Sequence, residues 1–123
     1  MARYKFLNIN PLNLREKDCV CRAISLALNK DYYEIEKKLE LVAELFDCEM
    51  LCKCCYSFLL DDVFDLERIE EVRGMTVEEF SYKFPKGVYI IRVEGHCTCV
   101  IDSVCYDTWD ATQEIVDLVW KVE

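Results

Sequence analysis

The chain has 123 residues, of which 53% are hydrophobic, so it can bury a core, and we expect a single domain over residues 1–123. Its net charge of −9 opposes phosphate backbones and anionic bilayers, which argues against nucleic acid or a membrane surface as a partner. The sequence contains no apolar run of about 18 residues or more and no signal-peptide pattern after Met1, which predicts a cytoplasmic protein. Its nine cysteines are an odd number, and we expect reduced and mostly buried thiols.

The N-terminal part of the chain predicts two helices after a short edge strand within residues 3–9. Residues 19–28 are apolar except at Arg22 and Ser25, which is typical of a buried helix, with Asp18 as its N-cap and Cys19 as its first residue. A capping pattern at residues 31–34 opens a second helix that extends to about residue 47.

The middle of the chain gives a weaker pattern. Residues 50–59 suit a helix, the pair Asp61 and Asp62 interrupts it, and apolar residues from Phe64 to Val72 suggest another short helix that Gly74 ends. A capping box then begins at Thr76 and predicts a helix of about two turns that ends near residue 85.

Past residue 87 the apolar pattern has a period of two. It predicts a buried strand at 88–93, a hairpin over 95–110 and a closing strand at 115–122. The fold class is therefore α+β, with N-terminal helices and a C-terminal antiparallel sheet.

The hairpin contains the one histidine of the chain. If Asp102 and Ser103 are the two turn residues, His96 lies opposite Trp109 and shares a face of the sheet with Asp107, its diagonal neighbour. A carboxylate beside an imidazole fixes its tautomer and stabilises its protonated form, which suits a general base. Asp110 competes for this place, because a β-bulge would exchange the two faces.

Cys19 is the candidate nucleophile. A thiol in the first turn of a helix lies near the positive end of the helix dipole and near unpaired backbone N–H groups, and both favour the thiolate. A buried helix that carries Cys19 and packs on the sheet with His96 and Asp107 would form a thiol, imidazole and carboxylate arrangement. Packing alone is the alternative role for each of these residues.

This order of cysteine on an N-terminal helix, histidine at a strand start and carboxylate on the next strand resembles the papain-like cysteine peptidase superfamily. Residues 107–109, Asp-Thr-Trp, are similar to the Asn-Ser-Trp of papain, which implies that Trp109 shelters the bond between His96 and its carboxylate. The resemblance also implies a minimal version of the papain-like fold, and an oxyanion hole with Asn13, six residues before Cys19. Residues 18–24, 95–96 and 106–110 resemble, more closely, small uncharacterised papain-like proteins of bacteria and their phages.

The resemblance implies a thiol hydrolase that acts on a peptide, isopeptide or amide bond of a peptide or protein substrate. One alternative is a catalytically silent papain-like module, encoded by a phage, that binds or inhibits another protein through its acidic surface. A second alternative is a related acyl-transfer enzyme, of the transglutaminase-like or acetyl-transferring kind, with the same Cys-His-Asp logic.

The remaining cysteines do not predict a metal site. A zinc site usually presents two Cys pairs with four convergent ligands, and the single crowded cluster of Cys48, Cys52, Cys54 and Cys55 on one helix does not supply that geometry. Cys97 and Cys99 point away from His96 on their strand. We therefore expect no metal and no cofactor. Arg22, one turn beyond Cys19, could support a thiolate or form a buried ion pair.

Overall fold

The computed structural model of the chain describes residues 4–11, 18–50 and 52–123. Its helices are α1 (Cys19–Leu28), α2 (Tyr32–Phe46), α3 (Lys53–Phe58) and α4 (Val77–Lys83), and a π-helical turn, Leu59–Val63, continues α3. Its strands are β1 (Tyr4–Phe6), β2 (Glu67–Arg68), β3 (Val88–Val93), β4 (His96–Ile101), β5 (Val104–Asp107) and β6 (Val116–Lys121).

The six strands form one mixed sheet in the order β1-β5-β4-β3-β6-β2. The predicted α+β class is confirmed, and β3 to β6 pair antiparallel as expected. The predicted N-terminal edge strand is present as β1, but the expectation of an antiparallel sheet is wrong at this edge, because β1 runs parallel to β5. The two ends of the sequence therefore meet in one sheet.

Two apolar clusters line the sheet. The first joins α1, α2 and α3 to Ile90, Cys97, Cys99 and Trp120. The second joins α4, through Val77 and Phe80, to the alternate residues of the strands such as Ile91 and Val100. Because neighbouring strand residues point to opposite faces, the first three helices and α4 cover opposite sides of the sheet.

The two N-terminal helices begin where the sequence predicts. Asp31 caps α2 by accepting a hydrogen bond from the backbone N–H of Glu34 at 3.2 Å. Asp18 is the N-cap residue of α1 as predicted, and its carbonyl accepts from the backbone N–H of Arg22 at 2.9 Å, but its side chain makes no capping bond, because its carboxylate is bound by other side chains. None of the helices among residues 4–11, 18–50 and 52–123 is long and apolar enough to cross a bilayer.

The segment after α3 differs from its prediction. The short helix expected between Phe64 and Val72 is wrong, because Glu67 and Arg68 form β2 and pair with the end of β6. Asp61 accepts two hydrogen bonds from the Arg68 guanidinium, at 3.0 and 2.6 Å, and one from the indole of Trp120 at 2.8 Å. These bonds hold the segment against the sheet. The capping box at Thr76 is present as predicted.

The hairpin has the predicted register. Ile101 pairs with Val104, and Asp102 and Ser103 form the turn with positive φ angles of 46° and 74°. This two-residue turn of left-handed residues matches the twist of the two strands. The ladder ends at Tyr106 and Asp107 follows as the last residue of β5, which leaves Trp109 outside the strand.

Candidate functional site

The hairpin brings His96 and Asp107 into direct contact. His96 is the first residue of β4 and Asp107 the last of β5, and Nε2 of the imidazole lies 2.6 Å from Oδ2 of the carboxylate. The other carboxylate oxygen accepts a hydrogen bond from the backbone N–H of Thr108 at 2.7 Å. Both side chains are buried, with 9% and 3% of their surfaces exposed. The carboxylate therefore fixes the orientation of the ring.

Cys19 completes the arrangement from the first residue of α1, which packs against β4. Its thiol lines the same cleft as His96 and Cys97, close enough for the imidazole and the backbone N–H of Cys97 to stabilise the thiolate. Since Nε2 of His96 is bonded to Asp107, Nδ1 is the ring nitrogen left for the sulfur. The structure thus brings Cys19, His96 and Asp107 together from positions nearly eighty residues apart in the sequence.

These contacts favour the charged form of each of the three groups. Burial alone raises the pKa of the Cys19 thiol, but the bond with His96, the Cys97 N–H and the positive charges of His96 and Arg22 outweigh it and lower that pKa. Burial lowers the pKa of His96, and its bonds to Asp107 and Cys19 more than offset this and raise it to about 9. The pKa of Asp107 is held below its ordinary value, since the bond from His96 overcomes burial. The site therefore favours a thiolate beside an imidazolium.

Arg22 joins this site to a second buried carboxylate. Its Nε donates to Asp18 at 2.7 Å, and its Nη1 lies 3.3 Å from Asp107 and 3.3 Å from Oγ1 of Thr108. Asp18 also accepts from the hydroxyl of Tyr32 at 2.7 Å and from the amide of Asn10 at 3.0 Å. The expected buried ion pair of Arg22 is thus present, with two carboxylates in place of one.

The other predicted site residues have distinct positions. Trp109 lies against His96 with ring centroids 4.6 Å apart, and part of the indole is exposed, so it covers the imidazole on one side. Asp110 accepts from the backbone N–H of Thr112 at 3.0 Å and from its hydroxyl at 2.6 Å, which makes it a turn residue and leaves Asp107 as the partner of His96. Asn13 lies outside the described residues.

A cleft beside Cys19 and His96 is lined by Val20, Tyr56 and Arg92. The Arg92 guanidinium donates to the hydroxyl of Tyr56 at 2.7 Å and also pairs with Asp117. The cleft thus opens beside the partly exposed Cys19 and has an aromatic side chain and a cation in its lining.

Sequence reasoning missed Tyr56, Arg92 and Thr98 as residues of the site. The Thr98 hydroxyl lies 3.2 Å from Sγ of Cys105 and close enough to Asp107 to help lower its pKa. This residue could have been found, because the predicted register places it opposite Asp107 on the same face. No local signal marks Tyr56 or Arg92, which come from α3 and β3.

The single histidine permits a direct test of this geometry. In a pH titration followed by NMR, we expect the imidazole signal of His96 to change with a midpoint near 9, since its pKa is raised to about 9. Asp107→Asn is expected to lower that midpoint because it removes the negative partner, and Cys19→Ser because it removes the thiolate. A midpoint near 6.5 in the unmodified protein would contradict the contacts described.

The same shift has a consequence for stability. The pKa of His96 is higher in the folded chain than the ordinary value of about 6.5, so the folded state binds the proton more tightly. This contribution to the free energy of unfolding is fully present below about pH 6.5 and is lost as the pH rises through about 9.

Comparison of the chain with protein-family models, with curated proteins and with solved structures gives no match.

Proposed function

We propose that the chain is a compact thiol hydrolase of the papain-like kind, which cleaves a peptide, isopeptide or amide bond through an acyl-enzyme on Cys19. The observation that carries the proposal is the contact of the His96 imidazole with Asp107 through Nε2, at 2.6 Å, in a cleft that the Cys19 thiol also lines. A nucleophile, a base and a group that orients the base are the three parts that such chemistry needs.

The reaction would proceed in two halves. The Cys19 thiolate attacks the substrate carbonyl carbon, and the negative oxygen that results accepts a hydrogen bond from the backbone N–H of Cys19. The carbon–nitrogen bond then breaks as His96 gives its Nδ1 proton to the leaving amine. Neutral His96 then takes a proton from water, whose oxygen attacks the thioester carbon. The carbon–sulfur bond breaks, which releases a carboxylic acid and restores the thiolate and the imidazolium.

Asp107 has two cationic partners, so its carboxylate can stay ionised through both the acylation and the deacylation of Cys19. It accepts from His96 at 2.6 Å and lies 3.3 Å from Arg22. Each time His96 loses its proton, Arg22 still compensates the buried carboxylate, so Asp107 need not take the proton itself. Its role is to orient His96 and stabilise the imidazolium.

The pH dependence of alkylation tests the nucleophile. Between pH 9 and pH 7, with iodoacetamide and peptide mapping by mass spectrometry, the alkylation rate of Cys19 is expected to fall less than that of an ordinary thiol, because its pKa is lowered and more of its thiolate persists. Cys54 provides a reference in the same molecule: it is exposed and its pKa is raised to about 11, so its rate should fall about tenfold per pH unit over that range.

Two variants sharpen this measurement. His96→Gln should return the rate profile of Cys19 to that of an ordinary thiol, whereas Cys21→Ser, on the same helix, should leave it unchanged. If Cys19 in the native protein follows an ordinary thiol profile, the proposal fails. That result would favour the silent binding module, which needs no thiolate.

A further inference from the structure

Four cysteines fall within eight residues around the α2–α3 loop and take no part in the proposed site. Cys48 follows α2, Cys52 precedes α3, and Cys54 and Cys55 lie in the first turn of α3. The Sγ atoms of Cys48, Cys52 and Cys54 all lie within 4.8 Å of one another, and those of Cys52 and Cys54 are 2.9 Å apart. We call these three residues the thiol triangle. The sequence predicts that the four cysteines lie on one helix and do not supply four convergent ligands. In the structure three of the four sulfurs come together, because Cys48 follows α2 and does not lie on α3.

We propose that the thiol triangle binds one soft d¹⁰ metal ion, Zn²⁺ or Cu⁺, through three thiolates. Soft sulfur ligands select these ions among those that proteins bind. A metal–sulfur distance of about 2.3 Å, in tetrahedral or trigonal geometry, requires sulfurs about 3.8 to 4 Å apart. The spacing in the structure is therefore within side-chain adjustment of a bound ion.

The backbone holds the triangle in place. Asp47 ends α2 in the left-handed conformation, with φ of 52°, and the N–H of Cys48 then donates to the carbonyl of Ala43 at 2.9 Å. The N–H of Cys52 donates to the carbonyl of Glu49 at 2.9 Å, which closes a turn between the two ligands. The backbone N–H groups of these two ligands are thus already hydrogen-bonded before an ion binds.

Packing between α2 and α3 holds the thiol triangle further. The rings of Phe46 and Phe58 contact each other with centroids 4.8 Å apart and join the end of α2 to the end of α3. Cys55 is fully buried, and its thiol donates to the carbonyl of Leu39 at 3.4 Å, so it anchors α3 and is not counted as a ligand.

The position of the triangle leaves one coordination site open. Cys54 is exposed, and Cys48 and Cys52 are half-buried, so solvent reaches the sulfurs. Water can then be the fourth ligand of Zn²⁺, whereas Cu⁺ is satisfied by three sulfurs. The bound ion would cross-link the ends of α2 and α3.

The test is metal binding by the reduced full-length protein without oxygen. Zn²⁺ alone and Cu⁺ alone are each titrated against a chromogenic chelator, and Co²⁺ reports thiolate ligands through its sulfur-to-cobalt charge-transfer absorption. We expect one equivalent of at least one of the two ions, and which of them binds identifies the ion. The melting temperature should rise in the presence of that ion, because it binds the folded state.

Variants separate this site from other thiols. Cys54→Ser changes an exposed side chain and should weaken binding at least tenfold, and the variant with Cys48, Cys52 and Cys54 all changed to Ser should bind none. Cys19→Ser should bind as the unmodified protein does. Equal binding by the triple variant, no binding of either ion by the unmodified protein, or a Co²⁺ complex without the charge-transfer absorption would each overturn the proposal.

Discussion

Changing His96 to glutamine is expected to lower the turnover of an acyl ester such as p-nitrophenyl acetate by about 10²–10⁴-fold at pH 7, the usual contribution of a general base. Glutamine keeps a hydrogen-bond donor for Asp107, which accepts from His96 Nε2 at 2.6 Å, but it cannot take a proton from water. Acylation of Cys19 would slow as well, because the thiolate loses its cationic partner. The measurement is release of nitrophenol, with the initial burst and the steady rate recorded separately.

Two further variants make the result specific. Cys19→Ala should abolish the burst, since no acyl-enzyme can form, and Cys21→Ser should retain both phases. Cys21 is buried, and burial raises the pKa of its thiol to about 12, so it is no substitute nucleophile. A steady rate within threefold of the unmodified protein in folded His96→Gln, checked by circular dichroism, would remove His96 from the proposed mechanism.

The contact between His96 and Asp107 could be predicted because it depends on local rules. Alternation along a strand and a two-residue turn at Asp102 and Ser103 suffice to place the two residues on one face, and the turn forms as predicted. The boundary of α1 was equally local, because Cys19 opens an apolar run of helical length. That α1 then brings Cys19 to His96 required the resemblance, since strand and helix periodicity say nothing of how they pack.

The network around Arg22 could not be predicted from local patterns. Asp18 is a favoured residue type for an N-cap, but its carboxylate binds Arg22, Tyr32 and Asn10, which come together when α2 and the N-terminal loop pack on α1. Because they are buried, these hydrogen bonds are stronger than the hydrogen bond that the Asp18 carboxylate would make to the solvent-exposed end of the helix as a cap.

Short apolar patterns failed for a different reason. The residues from Phe64 to Val72 match a helical spacing, yet Arg68 forms a strand because Asp61 and β6 supply its partners. In so short a segment, tertiary contacts outweigh intrinsic preference. The thiol triangle escaped prediction likewise, since the turn after α2 decides its convergence.

Changing Arg22 to alanine is expected to have the largest effect on stability, a loss of about 3–5 kcal/mol in the free energy of unfolding at neutral pH. The substitution leaves the carboxylates of Asp18 and Asp107, with side chains 9% and 3% exposed, without a cation they share. Lysine at this position keeps the positive charge but cannot bond both carboxylates as the guanidinium does. The free energy of unfolding of Arg22→Lys should therefore lie between those of Arg22→Ala and the unmodified protein. Chemical denaturation at fixed pH gives these differences.

A surface ion pair supplies the matched control. Arg73 lies 2.9 Å from Asp117 but its side chain is 71% exposed, so Arg73→Ala should cost less than about 1 kcal/mol. The pKa of Asp18 is lowered in the folded protein because its bonds to Tyr32, Asn10 and Arg22 outweigh burial, so its stabilising contribution is present above the ordinary carboxyl pKa and is lost as the pH falls. The difference in the free energy of unfolding between Arg22→Ala and the unmodified protein should therefore become smaller at acidic pH. If Arg22→Ala lowers the free energy of unfolding no more than Arg73→Ala does, or if the loss does not change with pH, Arg22 is not the partner that keeps the carboxylates of Asp18 and Asp107 buried.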